Sequence, residues 1–379
     1  MKSKASTTAP ARPVPFLDRD HSILAFNERV LDWAHRPDVP LLERLRYLCI
    51  VSSNLDEFFE VRMAEHLQAW HNGIHKGVYT TESFEALALA AHTLVDRQYA
   101  LYNDAFMPAF GLERIEILGF SDRTPEQTRW VHQHFEREVR PLLIPVSLDP
   151  SHPFPQVANK TLNFIVRLGG KDAFGRENEI AIVKVPRVLP RLIRMPDKVA
   201  GGKAAFVSLS SVIRAHLHSL FAGRVVSQFS QFRVTRHSDL AVDEDEVRNL
   251  RTAMRLGLQQ RHYGQAVRLE VAAACSEYLA DFLLQQFNLP QQALYRVHGP
   301  VNLVRLQQLI NLVDAPRLLF APYAPTDSAA ALHNQTVFDR LHKGDILLHH
   351  PYENFSLVLE FLREAVHDPD VLAIKQTIY

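Results

Sequence analysis

The sequence predicts a multidomain chain of α and α+β parts. An N-terminal helical bundle is followed by a mixed α+β domain and by the start, β-α-β, of a third domain of α/β type. Three observations carry this. Apolar residues recur at helical spacing through roughly the first 140 residues. The composition then shifts at residues 141–157, which hold five prolines, and apolar residues beyond it alternate as they do in strands. The last forty residues or so read as strand, helix and strand.

Residues 1–15, MKSKASTTAPARPVP, are small, polar and proline-rich, with no apolar core for a signal peptide. They read as a disordered tail. In residues 16–122, the helical domain, Ile23, Phe26, Val30 and Trp33 mark one apolar stripe, and Leu41, Leu42, Leu45 and Leu48 continue it after Pro37 and Pro40. No Pro or Gly lies between Pro40 and Gly73. One helix of about thirty residues is therefore allowed, although Ser52-Ser53-Asn54 could loosen it. A second long helix follows Thr81, from Glu82 to Phe106, ended by Pro108 and Gly111. Thr124-Pro125-Glu126 starts a third, with Pro at its first position, which stops near Pro141.

Residues 123–340 form the α+β domain. Asp149-Pro-Ser-His-Pro-Phe-Pro155 is a rigid connector. Leu162, Phe164, Val166 and Leu168 make a half-buried strand, and residues 179–185 a second one after a turn-rich stretch. The spacing predicts a helix over 208–220, a strand over 227–236, a helix over 243–263, a strand over 266–271 and a helix over 276–287. In residues 341–379, strand 345–349, helix 355–366 and the apolar strand Val371–Tyr379 form a unit that normally opens a parallel sheet. The expectation is a third domain cut at its start.

Composition narrows function. Lys+Arg and Asp+Glu are 42 each in 379 residues, so the net charge is zero. The 47% hydrophobic content with 22% charged residues is that of a globular chain and excludes collagen, coiled-coil fibres and wholesale disorder. Two cysteines, Cys49 and Cys275, cannot make a disulfide framework, and a reducing compartment fits best. No uncharged apolar run is long enough to span a bilayer as a helix. The zero is not uniform: residues 1–122 carry 12 cations and 17 anions (net −5), residues 123–240 carry 18 and 9 (net +9), and residues 241–379 carry 12 and 16 (net −4). A basic middle can hold a polyanion whatever the total. Arginines that merely solvate a helix face account for it equally well.

Self-contained chemistry is missing from the motifs. There is no phosphate-binding Gly-x4-Gly-Lys-Ser/Thr loop, no Gly-x-Gly-x-x-Gly, no Gly-x-Ser-x-Gly elbow and no His-Glu-x-x-His. His71 and His75 are four apart, as two metal ligands on one helix face would be. Gly73 lies between them without a third ligand close by, so a polar helix end is the better reading. His132/His134 and His216/His218 are two apart and point to different sides of a helix.

Several blocks, taken together, resemble one family. Leu24-Ala-Phe-Asn-Glu-Arg-Val-Leu31, Pro40-Leu-Leu-Glu-Arg-Leu-Arg46 and Ser52-Ser-Asn-Leu-Asp-Glu-Phe-Phe59 are similar to the start of the long polyphosphate kinases. Ile144–Pro155 resembles that family's entry to its second domain. FSQFRVTRHSDL (229–240), Val297-His-Gly-Pro300, His350-Pro-Tyr-Glu-Asn-Phe355 and DPDVLAIKQTIY (368–379) follow in the family's order. The last block matches the first strand of a phospholipase-D-like domain. One departure is Ile23, where the family usually has Trp.

The resemblance implies reversible transfer of the terminal phosphate of ATP to inorganic polyphosphate through a phosphohistidine, with magnesium. A histidine nucleophile splits phosphoryl transfer into two easier steps. In the family those groups lie in His-x-Lys-type constellations of the C-terminal domains, and no His-x-Lys occurs here. The catalytic residues and the Mg2+ ligands are thus expected outside this chain, which as it stands should not phosphorylate itself. One position carries over: Asn54 matches the asparagine that contacts the nucleotide, and an amide both donates and accepts, as an adenine edge requires. Helix capping or bending is its bland alternative. Arg44 and Arg46 could face phosphate, though pairing with Glu43 or Asp56 is the favoured state, and Lys375 could point into the absent active site. The resemblance further implies ATP/ADP and polyphosphate as partners, a homo-oligomer (dimer or tetramer), no nucleic acid, and a cytoplasmic location with peripheral association at the inner membrane. The alternative is a non-catalytic polyanion-binding or interaction protein built on the basic middle.

Overall fold

The computed structural model describes residues 16–148, 153–171, 179–238, 264–326 and 335–377. The helix expected at 243–263, the whole of the tail at 1–15 and residues 149–152 of the connector lie outside them. Residues 1–319 form one compact unit and residues 320–379 a second.

In the first unit, helices α1 (Arg19–His35), α2 (Leu41–His71) and α3 (Thr81–Leu101) pack as an up-down bundle. α1 begins where the Asp18 carboxylate accepts from the His21 N–H at 2.8 Å, and α3 where Thr80 and Ser83 cap each other reciprocally. α2 is one unbroken helix of 31 residues, about 46 Å long. The Ser52–Asn54 stretch does not loosen it. Their polar groups are answered by neighbouring helices instead: Gln98 donates to Ser52 Oγ at 2.6 Å, and Asn54 donates to Asn27 at 2.9 Å. α3 runs through a wide π turn at Tyr102–Phe106 into α4 (Met107–Leu112).

The chain then builds two sheets. β1 (Ile115–Leu118) pairs in parallel with β6 (Ala204–Ser208), which pairs antiparallel with β5 (Leu192–Arg194). This small sheet straddles residue 122, so the bundle and the α+β part are tied by a shared ladder. Between these strands lie α5 (Pro125–His134) and the single-turn α6 (Asp197–Ala200). The larger sheet has the order β2-β4-β3-β7-β8-β9, formed by β2 (Ile144–Ser147), β3 (Asn163–Gly169), β4 (Ile180–Lys184), β7 (Val225–Arg236), β8 (Ala266–Ala272) and β9 (Leu294–Val297). All its neighbours are antiparallel except β8 and β9. Helices α7 (Leu209–His216), α8 (Glu277–Phe287) and α9 (Gln307–Leu312) complete the unit. One continuous apolar core runs from Leu42 and Phe59 in α2 to Phe232 and Leu269 in the sheet.

The second unit holds α10 (Val337–Leu341) and α11 (Ser356–His367). The Glu364 carboxylate accepts from the Val337 N–H at 2.8 Å, tying the two helices together. The β-α-β expectation is met here only in its helix. Residues 345–349 and 371–377 belong to no strand. A strand exists only against a hydrogen-bonded neighbour, and among the described residues of this unit the sole bridge is Thr326 to Glu353. Leu347 and Leu372 are accordingly exposed, and so is Lys375.

Candidate functional site

Asn54 lies in the middle of α2, half-buried against α1. Its orientation follows from a chain of hydrogen bonds. Asn27, 1% exposed, donates its Nδ2 to the Ile23 carbonyl at 3.0 Å. That leaves Asn27 Oδ1 to accept from Asn54 Nδ2 at 2.9 Å. The amide of Asn54 is thereby set, with its Oδ1 and one N–H not used in that bond. Asn27 was not singled out in the sequence, because a partner twenty-seven positions away leaves no local signal. Arg44 and Arg46, two to three turns earlier in α2, are committed elsewhere. Arg46 pairs with Glu43 at 2.8 Å, as expected, while Arg44 donates to the Ala34 carbonyl at 2.8 Å and lies over the Phe106 ring. Neither pairs with Asp56.

Asp56 points to the other side of α2, since residues two apart on a helix diverge. It accepts from Arg233 Nη1 and Nη2 of β7 at 2.8 and 2.9 Å. Arg233 Nε donates to Glu270 of β8 at 2.6 Å, and Arg268 Nη2 reaches the other Glu270 oxygen at 3.2 Å. Arg268 is sandwiched between Phe59 and Tyr295, 4.7 and 4.4 Å from their ring centres. All four charged groups are buried. Burial works against the charge on Arg233, but the carboxylates of Asp56 and Glu270 overcome it, and its pKa stays above the ordinary arginine value. This network clamps the bundle onto the sheet and fixes where α2, and with it Asn54, sits. Its only trace in the sequence is that Arg and Glu interrupt otherwise apolar strand runs.

Ser83, His66 and Asp20 form a chain that resembles a nucleophile triad: His66 Nδ1 lies 2.7 Å from Ser83 Oγ, and Nε2 lies 3.2 Å from Asp20. Ser83 Oγ also donates to the Thr80 carbonyl at 2.8 Å and accepts from the Thr80 N–H, and His66 is 3% exposed. The arrangement closes a helix end and offers no attacking hydroxyl. His71 and His75 do not converge: His75 meets Glu82 at 2.6 Å, and His71 packs on Trp70. His132 and His216, from different helices, do meet, 3.2 Å apart. Among the described residues no group of three or more His, Cys, Asp or Glu side chains could hold a metal ion.

Much of the basic middle is consumed by the fold. Arg236 donates to the Val157 and Gly264 carbonyls, and Arg224 to Gly170 at 2.8 Å. Arg187 donates to the Asn159 carbonyl, while Lys160 and Lys203 pair with Glu60 and Glu116. One of the remaining cations, Arg214, lines an open cleft of about 680 Å³ whose wall also includes Asn103, Asp122, Ser208, Ser210, Gln231 and His298. Its lining mixes apolar side chains such as Phe120, Phe164 and Phe229 with hydroxyls, amides and one cation, the mixture usual for a ligand cleft.

Comparison with known proteins concerns the chain as a whole. Family models described as polyphosphate kinase N-terminal domain, middle domain and C-terminal domain 1 match residues 16–118, 126–309 and 336–379. The chain is 49% identical over 372 residues to a polyphosphate kinase of Neisseria gonorrhoeae, covering 96% of this chain and 54% of that protein. A polyphosphate kinase of Burkholderia cenocepacia is 47% identical over 369 residues, with the same two coverages of 96% and 54%. The crystal structure of polyphosphate kinase from Porphyromonas gingivalis superposes with a TM-score of 0.76 at 26% identity, over 95% of this chain and 51% of that one. The chain thus spans about half the length of the relatives it matches.

Proposed function

Because the chain belongs to the polyphosphate kinase family, we propose that it works in the reversible transfer of the terminal phosphate of ATP to inorganic polyphosphate. The observation that carries this reading is the run of three family domain models, in order, along nearly the whole described chain. In the proposed division of labour this chain binds and positions, and the phosphohistidine lies in domains that follow it. Asn54 contacts the nucleotide, its amide presented in one orientation by Asn27. The cleft that carries Arg214 and four serines handles the polyphosphate chain. Magnesium is implied by the family, and among the described residues no group of three or more His, Cys, Asp or Glu side chains could hold it. The partners are ATP or ADP, polyphosphate and further copies of the same enzyme as dimer or tetramer. The proposed location is cytoplasmic with peripheral attachment to the inner membrane; among the described residues no helix is long and apolar enough to cross one.

The test is transfer of label from γ-labelled ATP. An enzyme in which this chain is followed by the family's C-terminal domains retains acid-labile, base-stable phosphate and forms polyphosphate. The 379-residue protein alone retains none. Covalent label on the 379-residue protein would overturn the proposed placement of the nucleophile.

A further inference from the structure

A small pocket of about 50 Å³ adjoins the large cleft and shares Leu192, Ser208, Ser210 and Gln231 of its wall. At about 10–15 Å³ per water on this measure, it holds a few waters or one phosphoryl-sized group, and it is too small for a nucleoside. Three cationic residues line it: Lys160, Arg191 and Arg305. Lys160 is neutralised by Glu60 at 2.7 Å. The arginines are not: among the described residues neither guanidinium has an ion pair.

The polar atoms around Arg191 are also unanswered. Its Nη1 is buried without a hydrogen-bond partner, and so are the side-chain oxygens of Gln231 and Asn302 in the same wall. Buried polar groups are nearly always satisfied, by protein, water or ligand, so three orphans in one small pocket mark it as polar space that a guest can fill. Turning the Gln231 and Asn302 amides about their last torsion exchanges oxygen for NH2 and makes both donors to the same space. Burial first, and then the like charges of Arg305 and Arg187, bring the Arg191 pKa down to about 10. The backbone that carries it is rigid, because the N–H groups of Arg191 and Leu192 both donate to Gln308 Oε1, at 3.0 and 3.1 Å. A fixed, partly buried cation beside like charges is a cost to the fold that an anion would relieve.

We propose that this pocket is an anion site that takes one phosphoryl group, held by Arg191 and Arg305 with Gln231 and Asn302 as further donors. The anion chemistry follows from the pocket alone; that the phosphoryl group belongs to a polyphosphate chain running in the adjoining cleft rests on the function proposed above.

The experiment is titration of the 379-residue protein with tripolyphosphate, and in parallel with inorganic phosphate, at constant ionic strength. Binding is read calorimetrically and as a rise in Tm. Arg191→Met is expected to weaken binding at least tenfold, and Arg305→Gln several-fold. The anion-free Tm of Arg191→Met stays at or above that of the parent, since an uncompensated cation is gone. Arg305 is exposed, so its variant carries the test if Arg191→Met fails to fold. Loss of binding in the variants supports the site, and the tighter probe identifies whether chain or free ion occupies it. Unchanged affinity in both variants overturns the site while leaving polyphosphate handling elsewhere in the cleft intact. No binding of either probe by the parent protein overturns the site as well.

Discussion

Asp56 stands between two buried guanidiniums, Arg233 at 2.8 Å and Arg268 at 3.9 Å. Removing one partner of a buried ion pair leaves an uncompensated charge and costs about 3–5 kcal/mol. Asp56→Ala is therefore expected to lower unfolding stability by that amount in urea melts, far more than loss of an exposed pair such as Arg97–Asp32. His92 offers a pH-dependent counterpart. Its ring stacks on Tyr295 at 3.9 Å and its Nε2 lies 3.0 Å from the Gln292 carbonyl. Burial lowers its pKa, with the Arg268 cation adding to that, while the Gln292 carbonyl and Asp96 oppose it. A histidine held neutral in the fold binds its proton more readily when unfolded, so the stability it supplies is full above about pH 6.5 and is lost as pH falls through the lower, folded value. His92→Gln should flatten that part of the stability-against-pH curve; a curve unchanged by the substitution contradicts the assignment. Asn54 is a different kind of residue. The role proposed for it rests on the motif around it, and the partner that orients it, Asn27, is visible to neither spacing nor composition.

At the scale of elements, α2 does most of the joining. Its leucines face the bundle, and Phe59 packs edge-on against Tyr295 of β9, 5.6 Å between ring centres. Phe59→Ala should cost about 3–5 kcal/mol, as large-to-small changes in cores do. The bundle and sheet are expected to melt together, as one transition seen by both far-ultraviolet dichroism and tryptophan fluorescence. Two separate transitions would show that the shared core is weaker than its packing indicates. The long helices were readable in the sequence because thirty residues without Pro or Gly repeat an apolar stripe many times. Strands β1, β2, β5, β6 and β9 were not, because three to five residues hold too little period to count, and their pairing is set by chain far away in sequence. The strands of the last unit were over-read for the complementary reason: VLAIKQTIY has strand composition, but a ladder needs a neighbour that composition cannot supply.

For the molecule as a whole, the zero net charge and the +9 middle turn out to be mostly architecture. Carbonyls and carboxylates absorb much of that excess, and only a few arginines face the cleft and its side pocket. Order of motifs, more than charge, placed the chain among the polyphosphate kinases, and the shared fold with the Porphyromonas gingivalis enzyme agrees with it. The proposed function has this chain hold the nucleotide through Asn54 while the fold around it does the positioning. The most direct measurement is equilibrium titration of the 379-residue protein and its Asn54→Ala variant with ATP. Loss of a hydrogen-bonding amide worth about 1–1.5 kcal/mol predicts roughly tenfold weaker binding, with Tm lowered by a few degrees because the buried Asn27 Oδ1 loses its donor. Equal ATP affinity in the two proteins would contradict it.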